Sequence, residues 1–168
     1  ATALTALVLT VAASAQTPEC AEPNVLIVFD VSGSMGKAVP GTKYTQATDA
    51  VTDALYSHED EIRFGMLMFP DPDGQGCDLE VTPQVGLGLM HAQAIFDILD
   101  PTGASFWGGP QGFHDTPMFQ ALNAAWEIGA LQVTDRRNYL VLITDGMQDC
   151  CKSGDYDGDP DCVAGSTT

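Results

Sequence analysis

The sequence predicts an α/β domain on a doubly wound, Rossmann-like open sheet, mostly parallel with one antiparallel edge strand. Two runs predict it first, NVLIVFD (24–30) and RNYLVLITD (137–145). Each is apolar at consecutive rather than alternate positions and stops at an acid, as a parallel strand covered on both faces does. A third run of this kind, IRFGMLMF (62–69), lies between them. The intervening segments carry apolar residues at helical spacing.

In chain order, the first run ends at Asp30 and is broken by Gly33 and Gly36. Ala47, Ala50, Val51, Ala54 and Leu55 then recur at helical spacing over 44–56. The second strand, 62–69, is closed by PDPDGQG. Residues 79–87 alternate weakly after a connection too short for a helical crossover, so they are expected to pair antiparallel at a sheet edge. A helix over 91–99 stops at Asp100-Pro101. The Gly-rich loop PTGASFWGGPQGFHD follows, of a length that in compact domains is commonly functional. Its Trp107 is read as packing over the sheet edge, with a partner contact as the alternative. Pro117 suits the first turn of the next helix, capped by Thr116 or Asp115 and running to about Ala130. Met66 and Met68 are expected in the core, and His58 and His91 as solvated or capping groups.

The chain has 168 residues, enough for one domain with a real core. It holds 23 acids against 6 bases, a net charge of −17, which disfavours nucleic acid and anionic membrane surfaces and favours cations. Solubility of an exported protein accounts for such acidity equally well. Residues 1–15, ATALTALVLTVAASA, are uncharged and end in an A-x-A pattern, as the back half of a signal peptide does. The run is too short for a membrane span, so no membrane insertion is expected of the mature chain. Residues 16–23 form a linker, 24–149 the domain and 150–168 a Cys- and Asp-rich loop. Cys20, Cys77, Cys150, Cys151 and Cys162 all lie beyond the cleavage pattern, where export permits disulfides. Their spacing does not indicate structural zinc.

The stretch FDVSGSMG (29–36) places Asp30, Ser32 and Ser34 in alternation at a strand end. Alone, it suits a phosphate cradle, a nucleophile turn, a metal seat or a plain polar turn. In an open α/β sheet, ligands sit beyond the carboxyl ends of the strands. If the strand ending in Asp145 lies beside the first, the two acids converge there, with Thr116 entering from the Gly-rich loop. Two carboxylates and three hydroxyls make an all-oxygen set suited to Mg²⁺ or Mn²⁺.

Asp30-Val31-Ser32-Gly33-Ser34 resembles the D-x-S-x-S motif of von Willebrand factor type A domains. Thr116-Pro117 resembles the family's loop threonine, and Thr144-Asp145-Gly146 its closing Asp-Gly. The resemblance implies a metal-ion-dependent adhesion site at Asp30, Ser32, Ser34, Thr116 and Asp145. It also implies direct contact from the serines and threonine, aspartates acting directly or through water, and a partner's Asp or Glu completing the coordination. The family's threonine loop often reads Gly-Gly-Thr, whereas here Phe113-His114-Asp115 precedes Thr116. The family's later strands and helices have no counterpart here, so a fragment truncated at both ends is expected, poorly soluble or unfolded in isolation.

The leading functional expectation is thus an exported, secreted or surface-held adhesion module that binds a protein carboxylate and is not an enzyme. The alternative is a structural or display domain with an unused site. A serine hydrolase is remote: the elbow-like Ser32-Gly33-Ser34-Met35-Gly36 lacks the leading Gly, and no His follows His114. Neither phosphate-loop pattern is present. In the tail, Asp155, Asp157, Asp159 and Asp161 resemble a D-x-D-x-D calcium loop. Pro160 and Ser166 stand where an EF-hand needs Gly and Glu, so a solvated acidic loop is preferred to a Ca²⁺ site.

Overall fold

A computed structural model describes residues 21–36, 38–39, 41–70, 82–102 and 116–146. Its main sheet has four strands: β1 (Ala21–Asp30), β4 (Arg63–Phe69), β5 (Val85–Gly88) and β6 (Arg136–Ile143). Their spatial order is β5-β4-β1-β6. β1 runs parallel to β4, Asn24↔Arg63 through Asp30↔Phe69, and parallel to β6, Val25↔Tyr139 through Phe29↔Ile143. β5 pairs antiparallel with β4, as its short connection requires. A separate two-stranded antiparallel ribbon, β2 (Ala38–Val39) with β3 (Gly41–Thr42), had no counterpart in the sequence expectation.

Alternate residues of β1 and β4 feed two cores. On one face Ile27, Phe29, Met66 and Met68 pack with Tyr44, Val51 and Leu55 of α1 (Lys43–His58) and Ile95 and Leu99 of α2 (Ala92–Leu99). On the other, Leu26, Val28, Leu67 and Phe69 pack with Ala121 and Ala125 of α3 (Met118–Trp126). Cover on both sides is why these strands are apolar at every position. Each fully buried Val, Leu, Ile, Phe or Met side chain contributes about 1.5–3 kcal/mol. Tyr44 ties the first layer together. Its ring meets Phe29 edge-to-face at 5.7 Å, and its hydroxyl donates to the Leu99 carbonyl at 2.8 Å. Burial pushes the Tyr44 phenol up to about 12.

Gly65 is required by close strand approach. A Cβ there would lie 3.0 Å from the Val85 carbonyl oxygen and 3.1 Å from the Leu87 nitrogen, both backbone atoms. At the amino end of the sheet, Asn24 is 2% exposed. Its amide donates to the Ala130 carbonyl at 2.9 Å and to Asn138 Oδ1 at 2.8 Å, and its oxygen accepts from Arg63 Nε at 3.2 Å.

Several sequence expectations need correction. β1 begins at Ala21, inside the expected linker, with a register irregularity between Ala21 and Asn24 that accommodates Pro23. Thr116 does not cap α3: Pro117 is the N-cap, with no side-chain cap bond, and the helix starts at Met118. That helix stops at Trp126, short of Ala130, because Ile128 turns extended and a 3-10 turn follows over Gly129–Leu131. His91 is the N-cap residue of α2 by position, but its side chain makes no cap bond; its Nδ1 lies 2.8 Å from the Gly86 carbonyl. The expected features at residues 1–20, Trp107, His114, Asp115, all five cysteines and the aspartates of 155–161 lie outside the described residues.

Candidate metal centre

β1 and β6 are neighbours whose carboxyl ends lie level, Phe29 opposite Ile143. The chain leaves β1 for α1 on one face and reaches β6 after α3 on the other. In open α/β sheets, ligands generally sit where such connections diverge. β1 ends on Asp30 itself, whereas β6 ends at Ile143, just before Thr144 and Asp145. Thr144 and Asp145 therefore stand clear of the sheet and can turn toward the loop after β1.

That loop is fixed from both sides. Val31 is fully buried, and its N–H donates to the Phe69 carbonyl at 2.7 Å, so the β1–β4 ladder continues past Asp30. The 3-10 turn Gly33–Gly36 follows, closed by Met35 N–H to the Ser32 carbonyl at 3.0 Å. Met35 is buried in the core. With Val31 and Met35 pointing inward, the polar residues between them remain at the sheet edge. This is the physical meaning of the alternation in the sequence.

The five expected residues are gathered there. Asp30 Oδ1 accepts from the Ser32 N–H at 2.8 Å, and Oδ2 accepts from the Thr144 hydroxyl at 2.6 Å. The Ser32 and Ser34 hydroxyls lie 3.1 Å apart. Ser34 Oγ donates to Asp145 Oδ1 at 2.6 Å. A Cβ on Gly146 would lie 3.7 Å from Ser34 Oγ and 3.8 Å from Thr116 Oγ1, so both hydroxyls border the space over that glycine. Asp30, Ser32 and Thr116 are buried.

The two carboxylates differ electrostatically. Burial is the largest influence on Asp30 and raises its pKa above the ordinary value. The Thr144 and Ser32 hydrogen bonds oppose the rise, and the Asp145 charge adds to it. At Asp145 burial also disfavours charge, but the Lys43 ammonium and the Ser34 hydroxyl outweigh it and hold the carboxyl below its usual range. Lys43 Nζ forms an ion pair with Asp145 Oδ2. Sequence reading missed both Lys43 and the bond from Thr144 to Asp30. The available signal for Lys43 was a base in the first turn of a helix, in a chain with only 6 bases.

No protein-family model and no curated protein matches this chain. Among the described residues there is no cluster of three or more His, Cys, Asp or Glu side chains. The carboxylate-and-hydroxyl set fits a hard divalent cation such as Mg²⁺, which takes oxygen ligands and retains exchangeable waters. The glycine at Gly146 also fits, since a methyl there would enter the space beside Ser34 and Thr116. Among the described residues no helix is long and apolar enough to cross a membrane.

Proposed function

We propose that the chain is a von Willebrand factor type A domain, doubly wound, with a metal-ion-dependent adhesion site at the carboxyl edge of its sheet. In this reading it is an exported binding module, not an enzyme. Asp30, Ser32, Ser34, Thr116 and Asp145 hold Mg²⁺ or Mn²⁺, directly or through water. When bound, the ion supplies an exchangeable position for a carboxylate oxygen of a protein partner.

The observation that carries this reading is the convergence of two carboxylates and three hydroxyls from segments about a hundred residues apart. Ser34 and Asp145 are in direct contact across 111 positions. The net charge of −17 adds a reason for a metal: so acidic a surface repels an acidic partner unless a cation intervenes. The chain's own groups set the site's shape. Thr144 and the Ser32 N–H hold Asp30 in place, while Met35 and Val31 anchor the serine loop in the core.

A second reading, a structural or display domain whose site goes unused, draws support from the Lys43–Asp145 pair, which already neutralises one carboxylate. Two measurements separate the readings. Calorimetric titration with MgCl₂ should show binding that Ser32→Ala abolishes while circular dichroism stays unchanged. Binding to immobilised Asp- and Glu-bearing peptides should require Mg²⁺ and disappear in EDTA. Full peptide binding in EDTA, or binding unaltered in Ser32→Ala, overturns the adhesion reading.

A further inference from the structure

Lys43 is an odd residue for its position. It is the first residue of α1, whose Thr42–Thr45 capping box already satisfies the helix start, and no acid lies in that turn. The amino end of a helix carries partial positive charge and disfavours a base. What offsets this is Asp145, 102 positions away, whose Oδ2 accepts the ammonium. The pair is half sheltered: the Lys43 side chain is 35% exposed and that of Asp145 is 10% exposed.

Both oxygens of Asp145 are engaged, Oδ1 by Ser34 and Oδ2 by Lys43. The two donors are not equivalent toward a cation. A serine hydroxyl can turn its proton away and offer a lone pair. An ammonium has three donors and no acceptor, and its charge repels a divalent ion sharing the same carboxylate. Its four-carbon stem is flexible, and one-third exposure leaves it a path into solvent.

We propose that Lys43 is a built-in cationic competitor of the divalent ion: its ammonium holds Asp145 and must leave that carboxylate when Mg²⁺ binds. This rests on the metal-site reading above. Lys43 thereby sets the Mg²⁺ concentration at which the site fills. Lys43 is a tuning residue in this account and not a ligand.

The test is calorimetric titration of the full chain with MgCl₂, comparing the wild type with Lys43→Gln, Lys43→Arg and Ser32→Ala. Lys43→Gln is expected to bind Mg²⁺ about tenfold more tightly, and Lys43→Arg, which keeps the charge, to stay near wild type. Binding by Lys43→Gln alone, with none in the wild type, supports the proposal equally. Equal affinity in wild type and Lys43→Gln, or weaker affinity in Lys43→Gln, overturns it while leaving the metal site standing. Binding by none of the proteins overturns the site reading and this one with it. On the unsubstituted chain, the Lys43 ¹³Cε resonance is expected to move during the Mg²⁺ titration with the calorimetric midpoint. A resonance unmoved at saturation overturns the proposal even if Lys43→Gln does not fold.

Discussion

Ser34 donates its hydroxyl proton to Asp145 at 2.6 Å, joining the loop after β1 to the residues that follow β6. This contact turns two separate strand ends into one site. Ser34→Ala removes a donor to a charged acceptor, an interaction worth about 1.5–3 kcal/mol. The expected result is a modest loss of stability in urea denaturation and Mg²⁺ affinity at least tenfold weaker by calorimetry. Unchanged affinity would remove Ser34 from the site.

Gly146→Ala separates fold from binding. The added methyl meets Ser34 Oγ and Thr116 Oγ1 at ordinary contact distances, 3.7 and 3.8 Å, so the fold should keep its melting temperature. The same methyl enters the space that the hydroxyls border. Mg²⁺ affinity is expected to fall more than tenfold, read in a single titration beside a thermal melt.

Asp30→Asn should stabilise the metal-free protein while abolishing Mg²⁺ binding. Burial raises the folded-state pKa of Asp30 above 3.8, so the folded state holds more protons than the unfolded state between 3.8 and that raised value. Stability contributed at this position is therefore lost as pH rises through the window. Asparagine has no such titration. The advantage of Asp30→Asn over wild type should widen as pH rises from about 3.8, measured by urea denaturation in metal-depleted buffer. A constant difference would mean the Asp30 carboxylate is not strained by burial.

Asn24→Ala tests the opposite end of the sheet. It leaves the Ala130 carbonyl, Asn138 Oδ1 and Arg63 Nε without the partner they share. Because these bonds are only part-buried, and water can reach the Ala130 carbonyl, the expected cost lies toward the low end of the about 1–3 kcal/mol for an unsatisfied buried group. Asn24 and Asp30 stand about 20 Å apart along β1, so Mg²⁺ affinity should not change. A fall in affinity matching the fall in stability would show that the two ends are coupled.

β1 and β4 were legible because buried parallel strands are apolar at consecutive positions. β6 carries the same pattern, yet Tyr139, Leu140 and Val141 are exposed, so the expected cover on both its faces is not what the described residues show. The strand-terminal acids Asp30 and Asp145 were legible, since a strand's end fixes where its next side chains emerge. The local roles were not. Thr116 has the residue type of a helix cap, yet Pro117 takes that position and the Thr116 hydroxyl borders the space over Gly146. The base at Lys43, unusual in a first helical turn, was visible, but its partner was not, because Asp145 lies 102 positions away. The extent of β1 was underread because Pro23 normally marks a strand's limit, and the register irregularity beside it was not foreseeable.

The two strands that meet at the site are unequally sheltered. β1 is buried at every position from Leu26 to Asp30, whereas Tyr139, Leu140 and Val141 of β6 are 47%, 38% and 42% exposed. Backbone amides of β1 should therefore exchange with deuterium only on global opening, and those of β6 through smaller fluctuations. An ion held jointly by the serine loop and Asp145 would link the two regimes. The site would then act as a clasp, lending the slow exchange of the central strand to its less protected neighbour.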